Sequence, residues 1–457
     1  MFDLIVVGGG PGGYMAAERA GHAGLKVLLV EKRALGGVCL NEGCIPSKTL
    51  LHSAKVLDYT MHSKEYGVIS DAAKAKIDHT KVIERKNKVV DTLVNGVKVL
   101  MKSNKVTVVY GDAYIVDNKT VKVGNDVYNG ERLIIATGSV PVIPPINGLA
   151  DGLKSGFIIT SREILDLEKV PKNLVVIGGG VVGLEMASYY NSAGSKVTVI
   201  EMMPKIAGAM DGEISDLLMK SYQKKGINFM LSTKVTGFAK DSIEYVALGA
   251  DGADCKPAKI KADKVLLSIG RKPLVDGFGL ENLGLVIEKG AIVTDSHNLT
   301  SLPNVYAVGD VNGKYMLAHA AYREAEVAVA HILGKRDVMR YDAVPLVIYT
   351  SPEVASVGET EETAKARGLD VATVIVPMLY SGRYIAETTA TDGICKVIID
   401  KNTRTIIGVH IYGSYASEII MSACIMVEMK LTVEEAQKFI FPHPTVSEII
   451  REAIFRI

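Results

Sequence analysis

Apolar and polar positions fall into blocks that repeat along the chain. Residues 4–31 read LIVVGGGPGGYMAAERAGHAGLKVLLVE and residues 174–201 read LVVIGGGVVGLEMASYYNSAGSKVTVIE, a constant offset of 170. Each block is an apolar run, a glycine turn, a helix-like stretch, a second apolar run and an acid. That order predicts strand, tight turn, helix, strand. A second echo pairs RLIIATGSVP at 132–141 with KVLLSIGRKP at 264–273, an offset of 132. Each copy therefore has its own closing strand, ending at Gly138 or Gly270. The first copy carries 38 more residues between its opening and closing strands.

The turns are G-x-G-x-x-G: Gly8, Gly10 and Gly13 in one copy, Gly178, Gly180 and Gly183 in the other. Each follows a strand, opens a helix and has an acid, Glu31 or Glu201, 23 residues after its first glycine. In a dinucleotide fold the first glycine allows the turn, the second lets the backbone approach a pyrophosphate, and the third lets helix and strand pack closely. The helix N-terminus then offers amide donors and a positive dipole end. The acids would accept from an adenosine ribose, and Glu201 would repel a 2′-phosphate, so NAD is expected there. Two such sites point to FAD in the first copy and NAD in the second. NVYAVGDV at 304–311 supports the flavin assignment. Asp310 at the end of that strand could bind a ribityl hydroxyl, and Ala318 opens the helix that follows.

The 38-residue excess holds GGVCLNEGCIPSK at 36–48, with Cys39 and Cys44 five positions apart. Zinc would need a second close pair of ligands, and none exists. A structural staple over so short a loop gains little entropy. A redox pair remains, with Cys44 expected at a helix N-terminus, where the dipole favours thiolate.

Bulk composition narrows the class. With 457 residues the chain is too long for one core. It has 48% hydrophobic and 23% charged residues, and 52 basic against 51 acidic side chains give a net charge of +1. Nucleic acid and anionic membrane are not expected as main partners. No apolar run has the length of a membrane span. The apolar run from Phe2 leaves no room for a targeting segment, and Cys255, Cys395 and Cys424 are scattered, so a reducing cytoplasm is expected. No metal is expected, and the sixteen methionines read as core filling.

With these motifs, and with YTSPEVASVGETE at 349–361 and FPHPTVSE at 441–448, the chain resembles the pyridine nucleotide–disulfide oxidoreductase family over nearly its whole length. Within the family it is most similar to members that oxidise dihydrolipoamide. The resemblance implies that Cys39 is the interchange thiol and Cys44 the thiol against the flavin. It implies that Lys48 pairs with Glu185 near the flavin ring, and that His443, oriented by Glu448, is the acid–base group. It also implies that His443 acts from the second subunit of a homodimer. Lipoyl-bearing acyltransferase or H-protein subunits of a multienzyme complex would be the partners. Phe441 and Pro442 depart from the family's common His-Ala, which concerns the mouth of the site. Without the family, His443 between two prolines could be a packed surface turn, and His319 reads as structural. Lys205 is the only cation close after Glu201, so an NADP-linked reductase of another small disulfide ranks second, and a non-catalytic flavoprotein scaffold third.

The expected fold class is α/β, with two Rossmann-like domains, a central segment and a C-terminal α+β dimerisation domain. The expected boundaries are 1–146 for FAD with the redox pair, 147–270 for NAD, 271–340 for the central segment and 341–457 for dimerisation. The last of these is expected to hold alternating strands and two helices, and the proline-rich 138–149 to be a linker.

Overall fold

The structure is a computed structural model that describes residues 1–249, 252 and 255–457. It divides into two compact units. One comprises Met1–Thr49, Ile83–Ile143 and Gly270–Arg340, the other Leu50–Val82, Pro144–Ile269 and Tyr341–Ile457.

In the first unit, five parallel strands lie in the order Thr107–Tyr110, Val27–Glu31, Phe2–Val7, Asp126–Ile135, Val305–Ala307. The opening and closing strands of the first repeat are direct neighbours, with Val7 opposite Ile135. Val27 to Glu31 are all buried, as befits a parallel strand covered on both faces. The strand Asp126–Ile135 is long because it serves two sheets. Its first half pairs antiparallel with Thr120–Val123, and its second half pairs parallel with Val305–Ala307. Leu4, Val6, Leu29 and Ile134 share one apolar cluster with Ala16, Ala17 and Ala20 of the helix Pro11–His22.

The second repeat builds the same order, Asn228–Met230, Lys196–Ile200, Asn173–Ile177, Lys264–Leu267, Ile158–Ile159, again all parallel. Its neighbouring meander is Thr233–Phe238, Ser242–Ala247 and Ala258–Lys261. The excess in the first copy is helical: Gly37–Glu42, Cys44–Met61 and the long helix His79–Ser103 lie between its second and third strands. The predicted linker is partly structured, since Ser139–Pro141 pairs antiparallel with Arg271–Pro273.

The C-terminal part of the second unit is a five-stranded antiparallel sheet, Leu346–Ile348, Glu353–Gly358, Ile406–Gly413, Ile394–Asp400, Val371–Pro377. Five helices belong to it, not two: Glu361–Ala366, Gly382–Glu387, Ala416–Glu428, Val433–Ala436 and Glu448–Ile454. Four of them are too short to leave a periodic signal. Capping boxes start two: Thr360 with Thr363, and Thr432 with Glu435. Among the described residues no helix is long and apolar enough to cross a membrane.

Candidate active site

The glycines of the first turn are required by sterics. A Cβ on Gly13 would lie 1.7 Å from the carbonyl oxygen of Gly8, and Gly8 itself has φ of +104°. A Cβ on Gly10 would meet only Gly37 Cα, at 3.8 Å, an ordinary contact. The helix Pro11–His22 starts directly after Gly10, so its first amides face the turn. Glu31 closes the turn from below: Oε2 accepts the Gly9 N–H at 2.7 Å, and Oε1 accepts those of Arg33 and Ala34 at 2.7 and 3.2 Å.

The second turn repeats this. A Cβ on Gly183 would lie 2.2 Å from the Gly178 oxygen, and one on Gly180 would meet nothing within 4 Å. Glu201 Oε2 accepts the Gly179 N–H at 2.6 Å and Oε1 that of Met203 at 2.8 Å. Met202 and Met203 beside it are exposed, and the Lys205 ammonium donates to the Met210 carbonyl at 2.9 Å.

The cysteine stretch docks on the first turn. Gly36 N–H donates to the Gly9 carbonyl at 2.8 Å, and a Cβ on Gly37 would come within 2.6 Å of Gly10 Cα. Gly36 and Gly37 both have positive φ, which turns the chain into the short helix that carries Cys39. Gly43 separates that helix from the next, which begins at Cys44 as expected. Asn41 Nδ2 ties the short helix down through the carbonyls of Gly37 and Leu35, at 2.8 and 3.1 Å. Cys39 and Cys44 are free thiols, and each is half-buried. Their side chains are hydrogen-bonded to each other. That bond is the main reason the Cys39 thiol is pushed far above its usual range, with burial second, while Lys48 pulls it down. The helix-start argument covers Cys44 alone, and the Cys39 thiol holds its proton.

His443 and Glu448 meet as expected. His443 Nδ1 lies 3.0 and 3.2 Å from the two Glu448 oxygens. Glu448 is the first residue of the helix Glu448–Ile454 and also accepts the Thr445 N–H at 2.9 Å, which chiefly holds its carboxyl below the usual range. The imidazole is 78% exposed, presented outward on this braced turn. Glu185 is buried on the helix Val181–Ser192 and accepts the Tyr349 N–H at 3.1 Å. Lys48 lies one turn after Cys44 on the same helix.

Asp310 sits in a short turn, Gly309–Asn312, after the strand Val305–Ala307. Ser139 Oγ donates to Asp310 Oδ2 at 2.5 Å, and Arg271 holds Ser139 by Nε to Oγ and Nη2 to the carbonyl, both at 2.7 Å. Glu324, fully buried, accepts the Gly309 N–H at 2.6 Å and Asn312 Nδ2 at 2.9 Å. Gly138 and Gly270 both have positive φ beside this ribbon, and Ala318 is the first residue of the helix Ala318–Ile332. Ser139, Arg271 and Glu324 escaped the sequence reading.

Residues 2–325 match the family described as pyridine nucleotide-disulphide oxidoreductase, and 344–454 match its dimerisation domain. The chain belongs to this family. It is therefore an oxidoreductase that uses FAD and NAD(H), and it forms a homodimer. Among curated relatives it is 40% identical to the dihydrolipoyl dehydrogenase of Mycoplasma pneumoniae over 456 residues, which is 99% of this chain and 97% of that one. It is also 40% identical to the dihydrolipoyl dehydrogenase of Geobacillus stearothermophilus, over 99% and 95% of the two chains. Of solved structures, the HOCl-induced flavoprotein disulfide reductase RclA of Escherichia coli superposes with a TM-score of 0.86 at 26% identity, covering 100% and 99%. LpdA of Mycobacterium tuberculosis shares the fold, with a TM-score of 0.88 at 24% identity and 99% of each chain covered. The residues of this oxidoreductase fit its dinucleotides: uncrowded backbone at Gly10 and open backbone at Gly180, helix N-termini directly after them, and a carboxylate after each second strand.

Proposed function

We propose that the chain is a dihydrolipoyl dehydrogenase. It reoxidises dihydrolipoyl groups carried by the acyltransferase subunits of 2-oxoacid dehydrogenase complexes, or by the H-protein of glycine cleavage. The two electrons go to NAD+, giving lipoyl disulfide, NADH and one proton. The observation that carries the reading is the Cys39–Cys44 thiol contact, seated against the first dinucleotide turn.

In this reading the resting pair is a Cys39–Cys44 disulfide. A dihydrolipoyl thiolate attacks Cys39, which breaks that bond, forms a mixed disulfide and releases Cys44 as thiolate. The second dihydrolipoyl sulfur then displaces Cys39, leaving lipoyl disulfide and the dithiol state that the structure holds. His443 of the second subunit takes the substrate protons, and Glu448 fixes its Nδ1 so that Nε2 is the working nitrogen. Bound FAD supplies a two-electron acceptor for the dithiol and a hydride donor for NAD+. Gly8, Gly10, Gly13, Glu31, Gly138, Asp310 and Ala318 would hold it. Gly178, Gly180, Gly183, Glu201 and Gly270 would hold NAD. We assign Lys48 and Glu185 to tuning the flavin environment. The segments 1–146, 147–270, 271–340 and 341–457 would act as flavin, NAD, central and dimerisation domains. A cytoplasmic setting agrees with Cys255, Cys395 and Cys424, which stand as free thiols.

The test is anaerobic mixing of the flavin-loaded protein with dihydrolipoamide and then NAD+. Flavin reduction followed by NADH formation supports the reading. Bleaching by NADH with no response to dihydrolipoamide overturns the substrate and turns the search to other disulfides.

A further inference from the structure

Two tyrosine hydroxyls meet in the apolar cluster that flanks the dithiol. Tyr14, on the helix Pro11–His22, and Tyr322, on the helix Ala318–Ile332, place their oxygens 2.6 Å apart with ring centroids at 5.9 Å. Tyr14 is buried, and Tyr322 is half-buried. Both belong to the apolar cluster that also takes in Leu40, next to Cys39, and Ile45, next to Cys44. The Cys39 helix reaches that cluster because its start abuts the glycine turn from which the Tyr14 helix springs.

Phenylalanine would fill this cluster as well as tyrosine does. The hydroxyls must therefore be explained, since burying an unpaired hydroxyl is costly. The two satisfy each other with one bond, and two O–H groups that share one bond leave one O–H to point elsewhere. Burial is the main reason both phenols are pushed upward, and the negative charges that raise Tyr322 are those of Cys39 and Cys44. Both tyrosines thus stay protonated through the range in which an ordinary thiol ionises, about pH 8.5, and the sulfurs are the anions in their field.

We propose that Tyr14 and Tyr322 are positioning residues for the dithiol, a neutral hydroxyl pair whose dipoles stabilise the thiolate of the reduced Cys39–Cys44 couple. The inference rests on the redox-disulfide reading above. The other charged or titratable groups at the dithiol are Lys48 on the Cys44–Met61 helix, the Arg33–Glu42 ion pair at the end of the Cys39 helix and, in the proposed dimer, His443 of the second subunit. Lys48 acts on Cys39 as a full charge. The tyrosine pair acts as an uncharged donor that neither adds to the net charge nor titrates with the thiols.

The experiment takes the flavin-loaded dimer, reduces the pair, and follows alkylation of the two cysteines by iodoacetamide against pH, mapped by mass spectrometry. Removing a donor destabilises the thiolate, so Tyr322→Phe and Tyr14→Phe should each raise the midpoint by about one pH unit, a tenfold change in ionisation. The double variant should shift little further, because either change breaks the same pair. Melting temperature and flavin content report on folding. If Tyr14→Phe fails to fold, the half-buried Tyr322→Phe decides alone. A wild-type profile in the folded variants overturns the proposal. Variants that show the shift, alongside wild-type protein that never reduces NAD+ with dihydrolipoamide, would sink the substrate reading and leave the tyrosine pair standing.

Discussion

The Glu201 carboxylate accepts the N–H of Gly179 at 2.6 Å, as Glu31 accepts that of Gly9 at 2.7 Å. Each acid thus clasps the glycine turn of its own repeat. In the proposed reading Glu201 also binds the NAD ribose, so removing it costs both. A hydrogen bond to a charged group is worth about 1.5–3 kcal/mol, so Glu201→Ala should raise the KM for NAD+ by roughly tenfold or more. Flavin content should stay at the wild-type level, because Glu31 is untouched. Steady-state kinetics against NAD+ and the flavin absorbance check the two halves separately.

Cys39 keeps its proton chiefly through its bond to Cys44. Cys44→Ala removes both the acceptor and its negative charge, and leaves burial, which raises the pKa, opposed by Lys48, which lowers it. The Cys39 pKa should fall towards the ordinary thiol value, about 8.5. Alkylation of Cys39 in the variant should therefore reach half its plateau rate at a lower pH than in the reduced parent. Turnover of dihydrolipoamide should vanish. An unchanged Cys39 profile would show that burial, not the thiol pair, sets its proton affinity.

His410 lies inside the C-terminal sheet, opposite Ser356 and Lys396 on the two flanking strands. Burial pushes its pKa down, while Nε2 sits 2.9 Å from the Glu359 carbonyl oxygen. The folded chain therefore keeps it neutral below the pH at which the unfolded chain protonates it, about 6.5. The unfolded state then binds more protons, so stability falls as pH drops below that value. Urea midpoints from pH 8 to pH 5 should decline from about pH 6.5 downward. His410→Gln, which keeps a donor for Glu359 without the titration, should flatten that slope.

Next to it, Lys396 is 3% exposed and bonds Asp211, itself 1% exposed, at 3.0 Å, with Glu361 also at 3.0 Å. Lys396→Met strands a buried carboxylate. Breaking such a pair costs about 3–5 kcal/mol, which a urea titration would register as a lower midpoint at unchanged slope.

The duplicated turns were legible because sterics write them locally. Gly8 and Gly178 must take positive φ, and Gly13 and Gly183 must sit against a carbonyl, so the residues and their spacing are forced. The Cys39–Cys44 pair was legible because it lies within one short stretch of chain, whereas the His443–Glu448 pair, equally local, was read from the family resemblance. What escaped is assembled across long separations. Ser139 and Asp310 are 171 residues apart, and Arg271 and Ser139 are 132 apart. Tyr14 and Tyr322 are 308 apart. No local pattern marks such a meeting. Three of the small C-terminal helices escaped because four to six residues cannot display a helical period.

Glu324 shows why a buried acid is hard to read and what it does. In LAHAAYREAEVAVAHI it looks like one more charge on an amphipathic helix, yet it is fully buried. Its carboxylate holds the Gly309 N–H and the Asn312 amide, and so fixes the turn whose second residue is Asp310. Glu324→Ala would leave both donors buried without an acceptor, at about 1–3 kcal/mol each. Part of that is relieved by letting the turn relax, which moves Asp310 away from its bond with Ser139. The cost then appears at the flavin. FAD affinity should drop by roughly tenfold or more, read as flavin lost on dialysis. Glu324→Gln, which keeps one acceptor oxygen, should retain most of it. Full FAD retention in Glu324→Ala would mean that Ser139 and Arg271 hold Asp310 without help from the turn.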